Sequence, residues 1–337
     1  MKKYLSLFFI LLSMACGKKN QITELKMPPV IHLTGEKVET ILPRCYETGV
    51  LVDSFLVLKE NCTDTLFYLF SAISGQEVFR FGDKGRGVCE FYYPLFLSNS
   101  FAYDSLIIYD IPVGRLTKID LHALVENQDI TKCVNSEHLY RNLNFMYNFN
   151  KIDSAFIGTF TEKDEGLFSF CNRNNGEIKN TDYVPYYFYE KGRKDAYCHH
   201  VLVSEKDNSI IVPFKYMNLI NCYDLDGNLK VTYALDWIKE EINTQIRVDE
   251  HTTVTFYRTY ATRNRCYLVW DGHKIEEELR KYPAKIVVMN WQGELEKVYQ
   301  LDNFADFIIP DEKQRMIYVG VYNAGLEFVE IYKYPML

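Results

Sequence analysis

Two stretches of this chain repeat one another, and that repeat restricts the possible folds more than any other feature. NCYDLDGNLKVTYALD at 221–236 matches VVMNWQGELEKVYQLD at 287–302. Gly227, Leu229, Tyr233, Leu235 and Asp236 recur as Gly293, Leu295, Tyr299, Leu301 and Asp302. Each copy reads as a strand, a tight turn at glycine and a returning strand, because glycine enters the positive-φ region of such turns without steric cost. Weaker copies surround Gly75 (FYLFSAISGQEVFRFG) and Gly176 (LFSFCNRNNGEIKN). Further strand-like runs accompany these pairs: DSFLVLKE, DSLIIYD, DSAFIGTF, NSIIVPFK, TTVTFY and RMIYVGVY. Six units result, spaced roughly 40 to 65 residues apart, the range of propeller blades.

The two ends of the pattern complete each other. The last unit stops after its third strand, GLEFVEIYKY, while TGEKVETILP at 34–43 is a lone strand with its own glycine, Gly35. Joining them predicts an all-β, six-bladed β-propeller of four-stranded antiparallel blades over 30–337, its last blade closed by an N-terminal strand at 36–42 that pairs with 326–334. Closure of this kind removes an open sheet edge. The 26 tyrosines and 22 phenylalanines suit strands. A β-sandwich followed by a second β-domain is the competing arrangement, and the repeated turn pattern argues against it.

The first residues belong to targeting rather than to the fold. Lys2 and Lys3 precede an apolar run, Leu5 to Leu12, too short to span a bilayer. LLSMACGKKN resembles a bacterial lipobox, with Ala15 before Cys16 and Ser13 standing where leucine is usual. The competing reading is an ordinary cleaved secretory signal. The resemblance implies a signal peptide over 1–15, acyl chains on Cys16 and the lipid bilayer as a partner. Residues 16–29 read as a flexible tether. No acidic cluster of the surface-export type follows Cys16, so the expected address is the periplasmic face of the outer membrane.

Net charge is −7 with both signs interspersed, which leaves no basic block for nucleic acid. Besides Cys16, eight scattered cysteines form no C-x-x-C pair, and their disulfide pairing is open. Cys171 and Cys222 sit in apolar runs and read as small buried hydrophobes.

FGDKGRGVCEF at 81–91 looks at first like a phosphate-binding loop. Such a loop needs a following helix whose N–H groups face the anion, and here FYYPLF follows instead. The longer stretch FGDKGRGVCEFYYPLFLSNSFAYDSLIIYDIPVGRLTKIDL (81–121) resembles an NHL-type propeller repeat. The wider pattern, with FYRTY at 256–260, resembles the TolB-like six-bladed propeller lipoproteins of Bacteroidetes. Val88 and Cys89 stand where that group has proline and glycine. The resemblance implies a fold and no chemistry. It places the glycines where the outer strand of one blade crosses to the inner strand of the next.

Propeller connectivity then sorts the loops. With strands A to D counted from the axis outward, the D-to-A crossovers and B-to-C loops share one end. The glycine turns share the other, which is expected to leave little room for a pocket. The crossover end collects 183–200, with Tyr183, Tyr186, Tyr187, Phe188, Tyr189, Tyr197, His199 and His200, together with Lys59, Asp110, Lys215, Arg258 and Tyr322. The longest B-to-C insertion is expected over 259–284, with a short helix at KIEEELRKY; a strand at RCYLVW is the alternative, and it would carry Arg258 to the other end. Candidate ligand contacts are Arg141, Tyr186, Tyr187, His199, His200, Lys215, Arg258 and Tyr322, which combine aromatic faces with fixed cations. Adjacent histidines in a strand face opposite ways, so a metal site at His199 and His200 is not expected, and neither is a cofactor.

No nucleophile elbow, zinc signature or acid/base pair emerges. The function expected is a non-enzymatic binding module of the cell envelope for a protein, peptide or glycan. The alternative is a propeller hydrolase or lyase acting on glycans or peptides at the axial channel. Fold alone decides neither.

Overall fold

The strand-like runs are continuously apolar because each has a neighbouring sheet on both faces. In Leu106–Asp110 every residue is buried. Leu106 and Ile108 enter a core shared with the preceding blade, whereas Ile107 and Tyr109 enter the next one. The same two-residue alternation sends Ile210 and Val212 one way and Ile211 the other. It likewise divides Tyr267 and Val269 from Cys266 and Leu268. Fully burying one such side chain contributes about 1.5–3 kcal/mol.

The computed structural model describes residues 22–160, 166–182, 197–237, 248–277 and 279–337. Six sheets form a ring, a six-bladed β-propeller. Blade 1 comprises Tyr46–Val52, Phe55–Glu60, Thr65–Ser71 and Glu77–Lys84, with Glu90–Phe91 added outside. Blade 2 comprises Pro94–Phe96, Leu106–Asp110, Arg115–Ile119 and Val134–His138. Blade 3 comprises Met146–Lys151, Ala155–Phe160, Ser169–Asn172 and Ile178–Asn180. Blade 4 comprises Leu202–Ser204, Ser209–Pro213, Ile220–Tyr223 and Leu229–Leu235. Blade 5 comprises Phe256–Ala261, Arg265–Trp270, Lys285–Asn290 and Leu295–Gln300. Blade 6 comprises Phe307–Asp311, Met316–Asn323, Phe328–Pro335 and, from the N-terminal segment, Glu36–Lys37. These four strands are A to D in each blade.

The expected closure is present. Lys37 pairs with Tyr332 and Glu36 with Lys333, antiparallel. Val38 N–H adds a bond to the Ile331 carbonyl at 2.8 Å, and Lys37 Nζ lies 2.8 Å from the Glu330 carboxylate. Phe307, Ile309 and Tyr318 of blade 6 pack with Leu56, Leu58 and Phe70 of blade 1, so the ring closes through a core as well as a ladder.

Ahead of this strand, the chain is more ordered than a tether. Ile22–Leu25 runs parallel to the outer strand of blade 4, and Val30–His32 parallel to that of blade 5. The expectation of a flexible segment over 16–29 is therefore corrected from Ile22 onward: backbone groups left open on two outer edges recruit it. The repeat explains how it is held. Asp236 accepts the Met27 N–H at 3.3 Å, and Asp302, its counterpart, accepts the Gly35 N–H at 3.3 Å.

The turn glycines have a double reason. Gly75, Gly176, Gly227 and Gly293 have φ of +69°, +72°, +85° and +87°. Each also abuts the preceding blade or its exit; a Cβ on Gly293 would stand 2.8 Å from the Tyr233 ring.

Blade 5 departs from expectation. RCYLVW is strand B and FYRTYA is strand A, so 259–284 is not one insertion, and the B-to-C loop starts after Trp270. TTVTFY lacks the length of a second strand between its neighbours, and its end simply opens strand A. Arg258 nevertheless stays at the crossover end, because strand A starts there. The expected helix at KIEEELRKY is, among the described residues, one 3-10 turn at Leu279–Lys281. Blade 2 contains an α-helix, Leu121–Asn127, between its outer strands; Asp120 caps it by accepting the Ala123 N–H at 3.0 Å. Leu121 and Leu124 join the core between blades 1 and 2.

Cys45 and Cys62 form a disulfide that ties the entry of blade 1 to its B-to-C loop. Cys171 and Cys222 are buried, and burial pushes their thiols up to about 11 and about 12.

Candidate ligand site in the axial cavity

Inner strands of adjoining blades converge on the axis, and their first residues define a cavity of about 720 Å³ at the crossover end. Thr48–Val50, Leu95–Leu97, Tyr147–Phe149, Leu202 and Arg258–Tyr260 bring five blades to it. Lys59 and Phe160 enter from B-strand ends, and Tyr197–His200 from the approach to blade 4.

Both histidines are neutral at pH 7. Burial lowers His199 to about 4. His199 Nδ1 lies 2.5 Å from the Tyr197 carbonyl, which places its proton there and leaves Nε2 as an acceptor. That Nε2 is buried and meets no hydrogen-bond geometry, although the Leu167 backbone also acts on the ring. Burial lowers His200 further, to about 3, with the Arg258, His199 and Lys215 charges acting in the same direction.

The cations differ in their commitments. Lys59, 4% exposed, is 2.9 Å from Glu47 and lies over the Tyr93 ring. Arg258 is exposed and donates through Nε to the Asp306 carbonyl at 3.0 Å. Asp306 is the junction between blades 5 and 6: its carboxylate takes Arg280 at 2.8 Å and the Tyr322 N–H at 2.9 Å.

The cavity thus gathers His199, His200 and Arg258 from the expected set; Lys215 does not line it, though its charge acts on His200. Tyr322 is outside it, its ring beneath the Arg280 guanidinium at 4.1 Å. Arg141 is also outside, its side chain exposed at the start of a 3-10 turn between blades 2 and 3. Tyr183, Tyr186, Tyr187, Phe188, Tyr189 and Cys16 fall outside the described residues. Sequence reasoning missed Tyr147, Asn148, Thr48 and Thr159. Aligning the first strand of every blade, rather than its loops, would have found the first three.

The glycine-turn end is not closed, contrary to expectation. A second cavity of about 580 Å³ lies there, lined by Asp53, His122, Arg263 and Lys313 among others. The turns that border it join A to B near the axis, whereas the tight glycine turns lie further out. Tyr260 lines both cavities, and its hydroxyl accepts the Leu51 N–H at 3.0 Å. Burial raises its phenol.

The loop within 81–91 is filled by its own side chains. The Glu90 carboxylate accepts the Gly87 N–H at 2.9 Å, and a Cβ on Gly85 would collide with it. Arg115 donates to the carbonyls of Gly87, at 2.6 Å, and Glu90. Asp110, fully buried, accepts the N–H groups of Tyr92 and Tyr93 at 3.0 and 2.8 Å. An acidic occupant and inward-turned carbonyls do not receive phosphate.

This ring matches solved structures in shape. A member of the DUF4221 family from Bacteroides vulgatus superposes with a TM-score of 0.61 at 13% identity, covering 94% of this chain and 98% of that one. The "Putative exported protein" of Bacteroides fragilis gives 0.56 at 10% identity, covering 93% and 99%. The fold is that of these Bacteroides propellers. At such identities the likeness extends to the fold alone. No family model matches the chain, and no curated protein matches it.

Proposed function

We propose that this chain is a TolB-like, NHL-like propeller lipoprotein of the cell envelope that binds a ligand in its axial cavity without transforming it. The cavity carries the reading: segments distant in sequence, from Thr48 to Tyr260, meet at one end of one axis and combine aromatic, amide and cationic groups. The Cys45–Cys62 disulfide fits an oxidising compartment, and the Bacteroides fragilis neighbour is named for export. Acylated Cys16 anchors the protein to the outer membrane on its periplasmic face.

Two measurements test this. Cys16→Ala moves the protein from the membrane pellet to the soluble fraction; unchanged partition contradicts the anchor. For binding, the full chain in detergent is screened by thermal shift against peptides and glycans. Hydrogen exchange then maps each hit. Protection confined to the Asp53–Arg263 end overturns the site, and turnover of a bound ligand replaces binding with catalysis.

A further inference from the structure

We propose that the axial cavity takes an acidic sugar, whose carboxylate meets Arg258 and whose hydroxyls meet His199 and Tyr147. This names the ligand class of the site and rests on the binding reading above.

Among the described residues that line the cavity, unpaired positive charge stands at Arg258. Among the described residues Arg258 makes one side-chain hydrogen bond, through Nε, and no carboxylate pairs with it, while Lys215, outside the lining, lies over the Tyr216 ring. Other cations near the axis are committed: Lys59 to Glu47 at 2.9 Å, Arg263 to Asp104 at 3.0 Å, and Lys313 to Asp53 at 4.0 Å. A guanidinium whose two terminal amines are open presents the fork that holds a carboxylate.

The second requirement comes from an acceptor. His199 Nε2 is neutral, buried and unpartnered, so it needs a donor, and an ionised carboxylate has none. Sugar hydroxyls both donate and accept. The hydroxyls of Thr48, Ser98 and Tyr147 also line the cavity without a hydrogen bond of their own among the described residues. Tyr147 adds a ring for the apolar face of a pyranose. One ligand supplying an anion, several hydroxyls and a flat apolar face is a hexuronic acid. A peptide C-terminus supplies the anion without the hydroxyls.

Calorimetry on the full chain in detergent tests this with a galacturonate trimer, a hyaluronan tetrasaccharide, a neutral galactose trimer and tri-alanine. At least one acidic glycan binds at least about tenfold more tightly than the neutral trimer. Arg258→Ala weakens it by about ten- to a hundredfold, the range of a charged hydrogen-bonded contact. His199→Phe, which keeps a ring and removes Nε2, weakens it several-fold with no change in charge. Lys118→Ala, an exposed side chain on the third strand of blade 2, leaves it unaltered. Failure of both acidic glycans at millimolar concentration overturns the inference, as does indifference to Arg258→Ala or tighter binding of tri-alanine. Equal binding of acidic and neutral glycans, abolished by Tyr147→Ala, removes the acidic-sugar inference and leaves the binding site. Absence of binding across the whole peptide and glycan screen removes both.

Discussion

Arg115→Met tests how the crossover between blades 1 and 2 is built. Arg115 is 4% exposed and Asp110 is fully buried, with Arg115 Nη2 3.5 Å from Asp110 Oδ2. Methionine keeps much of the volume and removes the charge. Asp110 then keeps its two N–H donors from Tyr92 and Tyr93 and loses the one cation paired with it among the described residues. Breaking a buried pair from one side costs about 3–5 kcal/mol. The long separation puts this pair at the lower end, about 3 kcal/mol. The carbonyls of Gly87 and Glu90 belong to exposed residues and regain water, so they add little. Unfolding entropy near 2.1 cal/mol/K per residue amounts to about 0.6 kcal/mol/K for a propeller of this length, so the melting temperature falls by about 5 °C. Scanning calorimetry measures that fall, and hydrogen exchange reports faster opening at Tyr92 and Tyr93. Adding Asp110→Asn restores about 1 kcal/mol or more, because no buried charge is left behind. A loss under about 1 kcal/mol with unchanged protection over 85–93 refutes the account.

Gly293→Ala, forced to φ +87° against the Tyr233 ring, costs about 2–4 kcal/mol in urea unfolding, whereas Gly325→Ala stays within about 0.5; equal losses contradict the requirement at Gly293. Asp302→Ala removes the acceptor of the Gly35 N–H and of the Tyr334 hydroxyl, at 2.7 Å, and speeds exchange over 30–37; an unchanged segment shows that the latch is idle. Stability falls as pH drops from about 6.5 toward 4, because both histidines titrate lower folded than unfolded and the unfolded chain takes up protons first. Each contributes up to about 1.4 kcal/mol per pH unit in that window, so His200→Gln flattens the urea-derived profile between pH 6.5 and 4.5; an identical slope contradicts a neutral buried imidazole.

The blade count, the turn glycines and the closure of blade 6 were legible in order along the chain, because each rests on local periodicity or on a steric rule. Gly227 and Gly293 announce their turns by having no Cβ, and the run Leu106–Tyr109 announces two buried faces by being apolar on both. Sequence alone also separated the 81–91 loop from a phosphate site, since no helix follows it. It could not display the Arg115 contacts, which reach the loop from the next blade, or the folding of Glu90 back over Gly85 and Gly87. Nor could it order Ile22–His32, whose mixed composition and paired prolines resemble a tether: the segment is held by open backbone edges on blades 4 and 5, and backbone groups leave no mark in side-chain pattern. RCYLVW was ambiguous because strand lengths on either side of it are set by pairing with Lys285–Asn290. The candidate site shows the same division. His199, His200 and Arg258 were visible as residue types on the expected end. Their neutrality, the bare Nε2 of His199 and the open fork of Arg258 depend on burial and on which neighbours are already paired, and only the closed ring of blades decides these.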